Sequence, residues 1–367
     1  MILQDIIQEL ESGFPLKMQE SYDNCGLIYG NRDENINAVL ICLDITEEIV
    51  HEAITKKCSL IIAHHPLIYN SIKQINTTNY IHKALIECIK HNIAIYALHT
   101  NLDNHYKGVN FKIGEKIGVK NSNILLEKKN TLRKLVVFIP NEKKYIDSLD
   151  KELFHLGAGK IGNYDECHFR SEGIGTFRPL QNANPVIGKT MQKESIKECR
   201  IEYLIPKFIE LECIDAMKRA HPYEEVAFEI YNIENSNPSI GSGMIAELEN
   251  PMNLNDFLKF LKNKFNCRSI RFSPKNLNKQ IEKVAWCGGS GSFLMENAKR
   301  QGADVFISSD FKYHDFFKSS DSFVLIDIGH YESEQFTIEL IADFLKEKFS
   351  KFAIHLTEIN TNPINYI

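Results

Sequence analysis

The run Ile61-Ile62-Ala63-His64-His65-Pro66 decides how this chain reads. An apolar stretch that stops at two adjacent histidines and a proline has the form of a buried strand delivering metal-ligand side chains at its end. Around it, residues 38–43 read as a strand, 47–57 as a helix, 60–63 as the strand before the histidines, 78–91 as a helix and 93–98 as a strand. That β-α-β-α-β order predicts a parallel, doubly wound sheet with helices on both faces. The last third repeats the style, with strands at 283–287, 305–308 and 323–328 and helices at 293–301 and 335–348.

The middle differs. A strand at 131–139, a helix at 145–156, a Gly-rich stretch Gly157-Ala158-Gly159-Lys160-Ile161-Gly162, strands at 166–171 and 198–205, a helix at 207–220 and a strand at 226–231 follow one another. This order is that of a ferredoxin-like α+β unit. Polar segments at 128–130 and 232–239 mark its boundaries. The predicted organisation is therefore a discontinuous α/β domain, residues 1–129 and 236–367, with residues 130–235 inserted into it.

Composition narrows the function classes. Lys and Arg total 43 against 48 Asp and Glu, a net charge of -5, without the basic excess that phosphate-backbone binding needs, so nucleic acid is not an expected partner. No stretch approaches the ~18 apolar residues of a membrane span. The N-terminus has apolar residues at helical spacing broken by charge, unlike a signal peptide. The 9 cysteines are scattered with no Cys-x-x-Cys pair, which predicts reduced, packed thiols and a cytoplasmic setting.

Three segments that follow apolar runs offer metal ligands: His64-His65, Asp103 after residues 97–102, and His330 with Glu334 after Val324-Leu325-Ile326-Asp327-Ile328. In doubly wound sheets ligands gather at the carboxyl ends of strands, so the three can converge on one crevice. His330 and Glu334 stand at i and i+4 and share one helix face. His64 and His65 turn off a strand end and can serve two ions or two edges of one pocket. Asp103 is the expected bridge, because one carboxylate spans cations ~3.5 to 4 Å apart in two-metal hydrolytic sites. A His-His pair alone is more often a packing feature; its weight comes from Asp103, His330 and Glu334.

Asp44 and His99 are candidates to orient ligands or line the pocket, although Asp44 equally suits a helix N-terminus. The Gly288-Gly289-Ser290-Gly291 turn leads from a strand into a helix, and its backbone N–H groups could cradle an anion. Many such turns simply need glycine. His221-Pro222-Tyr223-Glu224-Glu225 reads as a structural turn and not as a second metal site.

Taken together, His64-His65-Pro66-Leu67, His99-Thr100-Asn101-Leu102-Asp103, Gly288-Gly289-Ser290-Gly291, Ser309-Asp310-Phe311-Lys312-Tyr313-His314 and Gly329-His330-Tyr331-Glu332-Ser333-Glu334 resemble the GTP cyclohydrolase I type 2 homologue family, also called Nif-three-like. Asp23-Asn24-Cys25-Gly26-Leu27 extends the resemblance almost end to end; Ser309 stands where the family often has Gly. The resemblance implies two divalent ions per subunit (Zn, Fe, Mn or Co) on His64, His65, Asp103, His330 and Glu334. It also implies a PII-like or CutA-like insert and a homohexameric ring.

On this reading the ions activate a water for hydrolysis of a nucleotide or another small anionic substrate. His99, Asp310, Lys312 and His314 are candidate proton carriers or substrate contacts, and Gly288, Gly289, Ser290 and Gly291 candidate anion contacts. The family name points to opening the imidazole ring of GTP, yet no residue here is seen to read guanine. The alternative is a non-catalytic metal-binding ring protein whose insert senses a ligand or docks a partner.

Overall fold

The computed structural model describes residues 1–273 and 276–367. In chain order the first segment contains α1 (Leu3–Gly13), β1 (Gly26–Tyr29), β2 (Ala38–Cys42), α2 (Glu47–Thr55), β3 (Leu60–Ala63), α3 (Tyr80–Lys90), β4 (Ala94–Ala97), the single turn α4 (Thr100–Asp103), α5 (Val109–Ile117) and β5 (Asn123–Glu127). Next come β6 (Leu132–Pro140), α6 (Lys143–His155), β7 (His168–Phe177), β8 (Glu194–Pro206), α7 (Glu210–Ala220) and β9 (Phe228–Asn232). The last segment holds β10 (Gly241–Asn253), α8 (Leu254–Lys264), β11 (Arg271–Ser273), β12 (Gln280–Ser290), α9 (Met295–Arg300), β13 (Val305–Ser309), β14 (Val324–Asp327), α10 (His330–Glu334), α11 (Thr337–Lys348) and β15 (Ala353–Leu356). Two compact units result, one of Met1–Glu127 with Pro238–Ile367, the other of Lys128–Asn237.

Local chemistry sets several boundaries. Thr46 caps α2 by accepting from the Ile49 N–H at 3.3 Å, with Glu47 and Glu48 in the first turn, where the helix dipole favours acid. Asn79 and Asn253 cap α3 and α8 in the same way. Strands β2, β3 and β4 are buried along their whole length, as parallel strands covered on both faces must be.

The larger unit differs from a single doubly wound sheet: it contains two. One has five strands in the order β1-β4-β3-β2-β15, all parallel except β1. The other has six, ordered β11-β14-β13-β12-β10-β5, with β12, β13 and β14 parallel and the rest antiparallel. The two ends of the chain exchange edge strands, since β15 pairs with β2 and β5 pairs with β10.

Side-chain alternation shows how the layers stack. Val39 and Ile41 of β2 join a core shared with α1, α5, α8, α11 and the inward residues of β12, β13 and β14, including the fully buried Trp286. Their neighbours Ala38, Leu40 and Cys42 pack instead with Ile49 and Val50 of α2 and Ala84 and Leu85 of α3. Phe306 and Leu325 face a further cluster with Met295 and Ala298 of α9. Each sheet thus needs helices on both faces, and one layer of helices serves both; this is why apolar periodicity along the chain could not separate two sheets from one.

The smaller unit carries its own core of Leu135, Val137, Ile139, Leu149, Leu153, Ile201, Tyr203 and Met217. Its four strands form an antiparallel sheet ordered β7-β8-β6-β9, with β6 central between β8 and β9. Both ring nitrogens of His221 are in use, one against the Phe138 carbonyl at 2.9 Å and one accepting from the Tyr223 N–H at 3.1 Å, so this histidine shapes a turn. All nine cysteines are free thiols. Among the described residues no helix is long and apolar enough to cross a membrane.

Candidate metal centre

The carboxyl ends of strands from both sheets of the larger unit supply the side chains of one cluster. His64 and His65 follow β3, their N–H groups held by the carbonyls of Cys42 and Leu43 at 3.2 and 2.9 Å. Asp103 closes the turn after β4, where its N–H donates to the His99 carbonyl at 3.0 Å. His330 and Glu334 begin and end α10. Gly329, at φ +94, redirects the chain from β14 into that helix, a backbone geometry that favours glycine.

Three imidazoles converge on Glu334. Its Oε2 lies 3.0 Å from His65 Nε2, 3.1 Å from His330 Nε2 and 3.8 Å from His64 Nε2. Asp103 Oδ1 stands 3.6 Å from His64 Nε2. Two ligand-type triads follow, His65-His330-Glu334 and His64-Asp103-Glu334, and a third group joins His99 to His64 and His65. The carboxylate common to the first two triads is Glu334, whereas the sequence had pointed to Asp103 as the bridge. Glu334 projects from a helix on the side of the second sheet and meets candidate ligands from both segments; among the described residues the ion-pair contact shown for Asp103 is to His64, and its triad joins it to Glu334.

The far side of each ring is anchored. Nδ1 of His64 donates to the Leu98 carbonyl at 2.7 Å, and Nδ1 of His65 to Asp44 Oδ1 at 2.7 Å. Nδ1 of His330 pairs with Asp310 Oδ2 at 2.7 Å, and Nδ1 of His99 with Asp23 Oδ1 at 2.8 Å. An acceptor at Nδ1 puts a proton there and aims Nε2 at the centre, so that a metal ion would need to displace only an Nε2 proton, the arrangement that orients histidines at metals. Asp23, which also accepts from the Thr100 hydroxyl and N–H, is the functional partner that sequence reasoning missed: it lies 76 positions from His99 and only the family motif around it hinted at a role.

Electrostatics match. Burial disfavours charge on His65, but Asp44 and Glu334 outweigh it and raise the pKa to about 10. Burial likewise opposes His330, yet Glu334 and Asp310 lift it to about 11. Burial pushes Asp103 up, countered by His64 and reinforced by Glu334. Glu334 goes the other way: burial works against its charge, but His330 and the neighbouring imidazoles hold it well below the usual carboxylate range. Protons on His65 and His330 are thus the positive charge set against Glu334, Asp44 and Asp310.

One atom tests whether these residues fit a metal. His64 is fully buried and its Nε2 has no hydrogen-bond partner. Buried polar atoms are normally satisfied, and a lone pair aimed between two carboxylate-bearing ligand sites is what a divalent cation requires. His and carboxylate donors suit Zn, Fe, Mn or Co.

The remaining sequence candidates divide. Asp310 joins the cluster through His330, in a left-handed backbone conformation at φ +58. Lys312 and His314 are exposed on the following turn, where the Lys312 N–H donates to Asp315 and the His314 ring meets Tyr313 and Phe317. The Gly288–Gly291 stretch lies at the end of β12 and just beyond, and its N–H groups are largely spoken for: Gly288 donates to Asn110 Oδ1, Gly289 to Ser333 Oγ and Gly291 to Ser308 Oγ, each at 2.9 Å. The geometry therefore provides spacing where the sequence suggested an anion cradle. A Cβ on Gly289 would overlap Glu334 Oε1 and lie 3.3 Å from His330 Cε1, so these glycines leave room for the ligands. Gly288 and Ser290 do line a cavity of about 180 Å³ over the cluster, with Tyr22, Tyr69, Phe293 and Glu20. No Lys or Arg is among its described lining residues.

Fold and site define a mixed α/β protein built around histidines and carboxylates of metal-ligand type. The chain belongs to the Duf34/NIF3 (NGG1p interacting factor 3) family, whose profile matches residues 1–363. It is 37% identical to a Bacillus subtilis protein named GTP cyclohydrolase 1 type 2 homolog, over 99% of this chain and 98% of that one. A Staphylococcus aureus protein of the same name is 36% identical over the full length of both. Among solved structures, a Bacillus cereus protein related to NIF3 superposes with a TM-score of 0.86 at 35% identity, covering 100% of this chain and 99% of the other.

Proposed function

We propose that the protein is a two-metal hydrolase acting on a nucleotide or another small anionic substrate. The observation that carries this reading is the buried, unpartnered His64 Nε2 in one of two triads that share Glu334. His64, His65, Asp103, His330 and Glu334 would hold divalent ions, which would lower the pKa of a bound water toward ~7 and supply positive charge. That charge matters here, because the described cavity lining contributes Glu20, Asp103 and Glu334 and no Lys or Arg.

The chain's own residues divide the work. Asp44, Asp310 and the Leu98 carbonyl fix ring planes. His99, with Nδ1 tied to Asp23, keeps Nε2 beside His64 and His65 as a proton carrier. Tyr22 and Tyr69, whose ring centroids are 6.5 Å apart, form an aromatic wall of the cavity.

The βαββαβ succession of residues 128–237 and its sheet order support a PII-like insert. Free thiols throughout support a reducing, cytoplasmic setting. A homohexamer is the proposed assembly, checked by mass in solution.

Purified protein is expected to hydrolyse a member of a nucleotide and phosphoester panel, and Asp103→Ala to lose turnover and one of two bound ions together. Turnover unchanged in that variant rules out this site.

A further inference from the structure

Residues 357–362 follow β15 without regular secondary structure, yet side chains and backbone pin them at both ends. On one side the Thr357 N–H donates to the Ile41 carbonyl at 3.0 Å, its hydroxyl bonds Glu52, and the Glu358 N–H reaches Glu52 Oε1 at 3.0 Å. On the other, Asn362 Nδ2 donates to Glu332 Oε1 at 3.1 Å, inside α10 between the two ligand candidates of that helix. Between these anchors the Thr361 hydroxyl donates to Asp44 Oδ2 at 2.8 Å.

Both oxygens of Asp44 are then engaged, Oδ2 by Thr361 and Oδ1 by His65 Nδ1. A carboxylate with one contact can swing about its Cβ–Cγ bond; a second contact from the opposite oxygen fixes its plane. A fixed Asp44 fixes the His65 ring, whose Nε2 faces Glu334 Oε2 at 3.0 Å. The relay runs from Thr361 to Asp44 to His65 and joins residues 317 positions apart.

We infer that residues 357–362 are a strap that completes the metal centre, with Thr361 a positioning residue for His65 acting through Asp44. The inference rests on the metal reading above and adds that one of the two ions depends on the strap. Asp44 reaches His65, which also groups with His64 and His99 but shares its carboxylate triad with His330 and is absent from that of His64, Asp103 and Glu334. Removing the Thr361 hydroxyl should therefore discriminate between the ions.

The test is calorimetric titration of metal-free full-length protein with Zn²⁺. Thr361→Val is expected to weaken one of two binding events about tenfold, the typical effect of losing a partner that orients a ligand, and to leave the other unchanged. Thr361→Ala deletes the hydroxyl in a second way and should match it; Thr361→Ser keeps the hydroxyl and should bind both ions as the unaltered chain does. Equal affinity for both ions in Thr361→Val and Thr361→Ala overturns the strap. So does parallel weakening of both ions without rescue by Thr361→Ser, which marks a merely structural role. An unaltered chain that takes up no Zn²⁺ overturns the metal reading itself, an outcome distinct from the other two.

Discussion

The Nδ1–H of His64 donates to the main-chain carbonyl of Leu98 at 2.7 Å. A carbonyl only accepts, so the lone pair of this imidazole sits on Nε2, buried and without a partner. Leaving such an atom unsatisfied costs roughly 1–3 kcal/mol. The fold carries that cost at the point where Asp103 and Glu334 approach.

Replacing His64 with Leu removes the unsatisfied nitrogen and also strands the Leu98 carbonyl, two effects of opposite sign. The metal-free variant should keep its melting temperature within the shift of about 1 kcal/mol, while the rise in melting temperature on adding Zn²⁺ shrinks. Calorimetric scans with and without the ion check this. An undiminished rise contradicts it.

Asp310→Asn keeps size and shape but weakens the charge-assisted bond to His330 Nδ1. Affinity for the ion of the His65-His330-Glu334 triad should fall 10- to 100-fold, roughly the range found when ligand-orienting partners are lost. Competition with a chromophoric chelator measures it, and unchanged affinity would remove Asp310 from the account.

Gly289→Ala forces a side chain into a left-handed position at φ +60 and against Glu334. The backbone alone costs about 1–2 kcal/mol. The variant should melt lower than the parent and bind less metal, because Glu334 must move. Chemical denaturation together with metal analysis reads both effects. Gly302→Ala, at φ +76 but with nothing within 4 Å, should lower stability and leave metal binding intact.

Protons and metal compete for the same imidazoles. In the metal-free fold His65 titrates at about 10 and His330 at about 11, above their ordinary 6.5. A raised pKa stabilises the fold fully below about pH 6.5 and loses that contribution as pH rises through about 10 to 11. Metal-free protein should therefore weaken progressively from about pH 6.5 to about pH 11, and the metal-loaded form should lack this dependence. Uptake of metal at pH 7 should release about two protons, seen by titration in buffers of differing ionisation enthalpy. Release of none would contradict the assignment.

Much of the candidate centre was legible because each candidate ligand follows an apolar run. His64-His65 after β3, Asp103 after β4 and His330 with Glu334 after β14 are visible as residue types at strand exits, and the structure gathers all five. What was hidden is set by pairings across long stretches of chain. Nothing near β15 tells that Ala353 to Leu356 pairs with β2, or that β5 pairs with β10, so two sheets read as one. Asp23 and Thr361 carry no local mark of contact with His99 and Asp44. In the Gly288–Gly291 turn the motif suggests free N–H groups, while the capture of those of Gly288, Gly289 and Gly291 by Asn110, Ser333 and Ser308 depends on three distant segments.

Glu334 is shared by both ligand triads, which makes it the most direct test of a two-ion centre. Metal-free protein dialysed against Zn²⁺, with bound metal then counted by plasma mass spectrometry, is predicted to retain about two ions per chain, and Glu334→Gln almost none. Two ions retained by Glu334→Gln, or none held by the unaltered chain, would contradict it.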